Sequence, residues 1–303
     1  MQFFRWYSRR VSWSSGHTRA RMTKAVPQSG MAPLCIIRFG AWKVSWRPMA
    51  VRATALWNPI EAALTFVGEC ALILWDALRR LGRQPVELGE TVQQMAFLGV
   101  ASVPIVALTT FFSGAVLSLY TSELLLRYGA GAFVGATVAL SVCREIGPVL
   151  AGIMVAARCG SAMAAQIGTM AVTEQIDALR MLSVHPTNYL VIPRLAAAVT
   201  MLPVLALVGM YAGVLGGWLV AVAGGVPSGQ FLQSVQSFVE PWDFVGGLLK
   251  TPVFGLIVAL VACQQGLRTQ GGAVGVGRAT TNTVVISMVL VYVANYFLAE
   301  LLF

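Results

Sequence analysis

The sequence is poor in charge. Asp, Glu, Lys and Arg make up only 11% of its 303 residues, against 57% hydrophobic residues. A water-soluble domain carries roughly a quarter of its residues as charges, so this chain cannot clothe a body of its size in a hydrated surface. Lipid must face much of it. Histidine is scarce as well: His17 and His185 alone cannot build a zinc site. The five cysteines (Cys35, Cys70, Cys143, Cys159 and Cys263) are odd in number and show no CxxC spacing. They read as buried free thiols rather than disulfides or metal ligands. No GxxxxGK[ST] loop occurs, which excludes ATP hydrolysis by a P-loop of this chain's own. No nucleophile–base pair or metal-binding cluster stands out either. The expectation is a protein that is not an enzyme and holds no cofactor or metal of its own.

Acidic residues are missing from positions 1–57, which hold ten Lys or Arg, whereas positions 58–303 hold eleven basic and twelve acidic residues. The net charge of +9 is therefore a property of the N-terminal segment and not of the body. A basic, Trp-rich leader beside a membrane body suits anionic headgroups better than nucleic acid. Residues 1–52 lack the apolar core of a secretory signal. Their Arg-rich, acid-free composition is that of an organelle transit peptide, with a disordered leader or a wrongly chosen upstream start codon as the alternatives.

Long apolar runs fill the rest. Residues 58–82 read as a helix, with Asn58 as N-cap and Pro59 in the first turn. Glu61, Glu69, Asp76, Arg79 and Arg80 interrupt it too often for a span, so an amphipathic helix lying in the membrane interface is expected. Met95–Ser122 is free of charge over 28 residues, and Tyr128–Ala157 is broken only by Arg144 and Glu145. Residues 195–239 carry no charge, and Gly224, Gly225 and Pro227 divide them into a span and a polar segment. With runs at Phe244–Gly266 and Ala279–Ala299, five spans are expected, at about 95–122, 130–157, 190–222, 244–266 and 279–300. The fold class is thus an all-α integral membrane protein, with a leader at 1–57 and a membrane domain at 58–303. The basic N-terminus and the loops bearing Arg158, Arg180, Arg194, Arg268 and Arg278 go to the cytoplasmic or stromal side. The 223–243 loop, with Glu240 and Asp243 but no Lys or Arg, goes to the other.

Four features carry chemistry or packing. Arg144 and Glu145 break the second span near its middle, where a charge costs roughly 3 kcal/mol on insertion scales. They form either a polar spot in an apolar pocket, suited to an amphipathic ligand with a charged head, or a pair satisfied between helices for folding alone. Gly147 and Pro148 follow and should bend the helix. Thr173-Glu174-Gln175-Ile176-Asp177-Ala178-Leu179 reads as a short helix capped by Thr173 and closed by Pro186. Glu174 and Asp177 share one face, and Ile176 and Leu179 another. It is either a docking element for a cytosolic partner or a solvated loop helix. Gly209, Gly213 and Gly217 recur every four residues on the third span, either as a seam for close helix packing or as ordinary membrane-helix glycine. Gly271-Gly272-Ala273-Val274-Gly275-Val276-Gly277-Arg278 lacks the strand that a nucleotide loop follows, and is read as a tight cytoplasmic turn.

At these residues the chain resembles the MlaE/YrbE family of permeases from about residue 58 to the C-terminus. The resemblance rests on Arg144-Glu145-Ile146-Gly147-Pro148-Val149-Leu150, Ala156-Ala157-Arg158-Cys159-Gly160-Ser161-Ala162, Ile167-Gly168-Thr169-Met170, the 173–179 block, and Gly277-Arg278-Ala279-Thr280-Thr281 with Val284-Val285. It implies an ABC permease working as a homodimer, with ATP bound by separate ATPase subunits docked on residues 173–184. It further implies an MCE-domain partner on the opposite side and phospholipid in a pocket between the two copies. The membrane would be a bacterial inner membrane or a plastid inner envelope. Gln166, Ala171 and His185 depart from residues common in the family, which are acidic, Arg and Asp respectively.

Three other readings are weaker. An ion-coupled secondary transporter would show a repeat between halves, and five spans do not divide evenly. A lipid enzyme needs a catalytic constellation. A purely structural subunit leaves Arg144 and Glu145 without a role.

Overall fold

The computed structural model describes residues 59–81, 88–182 and 185–303. The expected leader at 1–57 and the N-cap at Asn58 lie outside the described residues. The helices are α1 (Pro59–Leu81), α2 (Leu88–Gly99), α3 (Val103–Arg127), α4 (Val134–Ser141), α5 (Gly147–Val155), α6 (Ser161–Val172), α7 (Gln175–Met181), α8 (Ile192–Ala223), α9 (Ser228–Phe238), α10 (Pro241–Leu267) and α11 (Gly272–Leu302). No strand occurs among the described residues.

Five helical stretches are long and apolar enough to cross a membrane: Gly89–Arg127, Gly131–Val172, Thr187–Ala223, Pro241–Leu267 and Gly272–Leu302. The protein is an all-α integral membrane protein. The first stretch is α2 and α3 with a break at residues 100–102. The second is α4, α5 and α6 joined by wide π turns at Val142–Ile146 and Ala156–Gly160. Its 42 residues make a rod of about 63 Å, twice the hydrocarbon thickness of about 30 Å. The helix runs on past residue 157 to Val172, and α7 follows.

One correction concerns a loop. Residues 272–278 are the first two turns of α11 and not a tight turn. The chain reverses at Gly271 and Gly272, whose φ angles of 87° and 71° suit glycine. The polar segment after Pro227 is the helix α9. Phe231 is buried against Gly135, and the Ser234 hydroxyl accepts from the Ala136 amide at 2.8 Å, pinning α9 across the start of α4.

The core is built from α5, α6, α8 and α10, with Ile153, Val155, Leu202, Leu205, Phe254 and Val258 buried together. The α3–α8 contact is close because α8 presents Gly209, Gly213, Gly216 and Gly217. A Cβ at Gly209 would lie 3.2 Å from Thr110 Cγ2, and one at Gly213 would lie 3.2 Å from the Thr110 carbonyl. A Cβ on Gly114 of the facing helix would strike the Gly213 carbonyl. Absence of side chains on both faces lets the backbones meet.

Helix α1 inverts the amphipathic habit of soluble proteins. Its outer face shows Leu64, Val67, Leu72, Trp75 and Leu78, all more than half exposed. Its Glu69 faces the body. Glu69 accepts from Gln264 Nε2 at 2.8 Å and pairs with Arg268 at 3.4 Å. Burial, reinforced by the neighbouring Glu69 carboxylate, pushes the Cys70 thiol up to about 11. An apolar exterior with ionic latches inward is the arrangement of a helix immersed at a lipid interface.

Candidate functional site

The site begins with a proline. Pro148 has no N–H, so the carbonyl four residues earlier, on Arg144, loses its intrahelical donor. The backbone widens into the π turn Val142–Ile146, and Lys250 Nζ of α10 donates to that carbonyl at 3.0 Å. Lys250 is fully buried. Its ammonium also donates to Glu145 Oε1 at 2.6 Å and to Asn295 Oδ1 at 3.4 Å, which accounts for its three donors. Asn295 of α11 returns a hydrogen bond from Nδ2 to Glu145 Oε2 at 2.6 Å.

Arg144 turns the other way. Its Nε and Nη2 donate to Asp243 Oδ1 at 2.8 and 2.5 Å. Asp243 is buried, and its second oxygen accepts the Glu240 amide at 2.9 Å within the capping box of α10. Arg144 and Glu145 do not pair with each other. Adjacent residues on a helix point about 100° apart, so each takes its own partner from α10. The Phe303 ring lies 4.6 Å from Arg144 Cζ and 5.0 Å from Lys250 Nζ, a cation–π cover over both cations.

Two cations and two carboxylates make a neutral cluster that is sealed on one side and open on the other. Asp243 and Lys250 are enclosed, while the Arg144 and Glu145 side chains keep 40% and 42% exposure. The open side is a groove of about 250 Å³ lined by Ser113, Glu145, Ile146, Val149, Leu150, Tyr292 and Asn295. One carboxylate, one amide, a hydroxyl and a phenol thus meet an otherwise aliphatic wall. A second cleft of similar volume, between α1 and α8, is lined by Leu74, Ala77, Leu78, Ile192, Leu195, Ala196, Val199 and Leu256 and has no polar group with which to orient a ligand. No group of His, Cys, Asp and Glu suited to a metal occurs among the described residues.

Sequence reasoning found Arg144 and Glu145 but missed Lys250, Asp243 and Asn295. Lys250 did carry a signal, as the single charge inside the fourth apolar run. Asp243 and Asn295 did not, because an acid at a span's end and an amide within a span have many uses.

The segment around α7 differs from its expected form. Thr173 does not cap it: its hydroxyl donates back to the Thr169 carbonyl at 2.8 Å, finishing α6. The turn is made by Glu174, with φ 59°, in the left-handed region. Ile176 is buried and Leu179 half-buried, so both anchor the helix to the body. Asp177 pairs with Arg180 at 2.9 Å on the open face. Beyond them Met181 and Leu182 are 87% and 74% exposed. Residues 183 and 184, expected to end this element, lie outside the described residues. Gly209, Gly213 and Gly217 lie at the α3–α8 contact, and Gly213 also faces Val142 at the start of the π turn that carries Arg144 and Glu145.

Residues 91–301 match the family model described as Permease MlaE. The chain belongs to the MlaE permease family. A probable ABC transporter permease protein of Rickettsia felis is 45% identical over 238 residues, covering 78% of this chain and 92% of that protein. One from Synechocystis, slr1045, is 42% identical over 214 residues, covering 70% and 81%. The chloroplastic protein TRIGALACTOSYLDIACYLGLYCEROL 1 of Arabidopsis thaliana is 35% identical over 233 residues, covering 77% and 67%. The chain is an integral membrane permease of the ABC transporter class. That class implies separate ATPase subunits as partners.

Proposed function

We propose that this permease moves phospholipid between its membrane and an MCE-domain partner, driven by ATP hydrolysis in separate subunits. The supporting observation is the half-open ionic cluster at the head of an aliphatic groove. A phospholipid carries a charged head on apolar chains, and a site for it needs fixed charge beside hydrocarbon, both within reach of the bilayer. Arg144 supplies the cation for a phosphate, and the enclosed Asp243 and the Lys250–Glu145 pair keep the empty site neutral. The name of the Arabidopsis relative refers to a diacylglycerol lipid, which accords with a lipid cargo.

Two copies of the chain would close the groove between them. The face of α11 favours this: only 11% of its most apolar stretch is buried within one copy. ATP-driven approach of the copies then narrows the groove and expels the lipid. In proteoliposomes holding the assembled complex, Arg144→Ala is expected to lower ATP-dependent phospholipid transfer about tenfold, the worth of one charge-assisted contact, with subunit assembly intact. Unchanged transfer would remove Arg144 from the pocket.

A further inference from the structure

A second intramembrane arginine takes no part in the cluster just described. Arg158 sits on the same long helical stretch, in its other π turn, Ala156–Gly160. It lies 14 residues beyond Arg144, or about 21 Å along the axis. Its neighbour Gly160 packs on Val258 of α10. Val258 is 17 residues from Pro241 and nine from Leu267, so about 26 Å from one end of that span and about 14 Å from the other. Arg158 is therefore at bilayer depth, in the half nearer the basic loops.

Its surroundings leave it incompletely satisfied. The side chain is exposed. Nη1 donates to the Ser102 hydroxyl at 3.2 Å, and no carboxylate lies within ion-pair distance among the described residues. Ser102 is wholly buried at the break between α2 and α3, and its oxygen also touches Cys159 Sγ at 3.2 Å. The hydroxyl thus fixes one edge of the guanidinium and leaves the rest of its five donors facing outward. An unpaired arginine at this depth is costly and faces a cavity, a partner or a lipid headgroup.

A dimer axis along the bilayer normal brings together groups of equal depth. The described carboxylates lie elsewhere. Glu90 is 12 residues before Ser102 and Glu145 is 13 before Arg158, each about 18–20 Å away. Glu69 is held by Gln264 and Arg268. A phosphate, which a guanidinium grips with two parallel hydrogen bonds, is the anion that a bilayer does supply.

We infer that Arg158, positioned by Ser102, is a second phosphate station for a phospholipid of the basic-loop leaflet, separate from the groove at Glu145. This rests on the lipid-permease reading, and would give the cargo a foothold in each half of the bilayer.

The test is photo-crosslinking in the full complex, in native membranes from cells grown on radiolabelled phosphate. A benzophenone side chain is placed at Val103 beside the station, at Ser113 in the groove, or at lipid-facing Leu108 as background. Labelled phospholipid is expected at Val103 well above Leu108, falling about tenfold with Arg158→Ala, the loss of one charge-assisted contact. Arg158→Lys should retain part of it, and Ser113 labelling should be unchanged by either substitution. Labelling at Ser113 with only background at Val103 overturns the second station alone. A cross-link from Val103 to another copy of the chain, in place of lipid, overturns it in favour of a dimer contact. Background at both positions overturns the lipid-permease reading with it.

Discussion

Pro148 shows how much one missing hydrogen can arrange. Without its N–H the Arg144 carbonyl is free, the helix widens, and a lysine from another span can enter. Lys250 is then committed to Glu145, its one carboxylate partner. Glu145→Ala should therefore strand a fully buried ammonium and cost about 3–5 kcal/mol. Adding Lys250→Met should recover most of that loss, because an apolar chain of similar length asks for no counter-charge. Thermal unfolding of the two variants in detergent measures both numbers. A double variant no more stable than the single one would mean that the pair does not hold the structure in this way. Arg194 poses the reverse case. It is buried, donates to the Leu190 carbonyl and to Gln166 Oε1, and its Nε has no partner. Gln166→Glu would give it a carboxylate in place of an amide and should raise stability by about 1 kcal/mol, seen as a higher unfolding midpoint.

Among the elements, α1 and α7 do opposite jobs with similar means. Each is amphipathic and is fixed to the body by one face. In α1 the ionic latch at Glu69 faces inward and the open face is apolar, as suits lipid. Breaking that latch with Glu69→Ala should speed alkylation of Cys70 at neutral pH, since the seating of α1 against the body buries this thiol, and burial first, then the Glu69 carboxylate, pushes it up to about 11. Maleimide labelling followed by mass spectrometry reads the rate, and an unchanged rate would show that α1 stays seated without the latch. In α7 the anchor is Ile176 and Leu179, and the open face carries Glu174, Gln175, Asp177, Arg180 and Met181. The left-handed Glu174 sets this helix at an angle to α6, at a strain of about 1 kcal/mol.

For the whole molecule, the 42-residue second stretch connects the two proposed working ends. Arg144 and Glu145 lie about a third of the way along it, and α7 follows directly on its far end. A push on α7 would thus reach the ionic cluster through one continuous, twice-widened helix, packed along α8, α10 and α11. The expected consequence concerns the partner ATPase. Reversing charge at Glu174 and Asp177 together should detach it, and co-purification in mild detergent provides the readout. Retention of the ATPase by that variant would move the docking site away from α7.

Several features were legible from one dimension. Five spans, the interfacial helix and the odd charges in the second span follow from the rarity of charge and the length of the apolar runs. These depend only on the cost of placing polar groups in hydrocarbon, which is the same whatever the fold. The family resemblance was legible too, from ordered blocks along the chain. Pairing was not. Arg144 and Glu145 sit side by side in sequence yet serve different partners 99 and 105 residues away. Likewise the glycine-rich stretch at 271–278 gives no hint of opening a helix until a span has to be extended to its full length. Hydrophobicity is a local property that a sequence carries whole. Which charge neutralises which is a property of distance, and only packed helices set it.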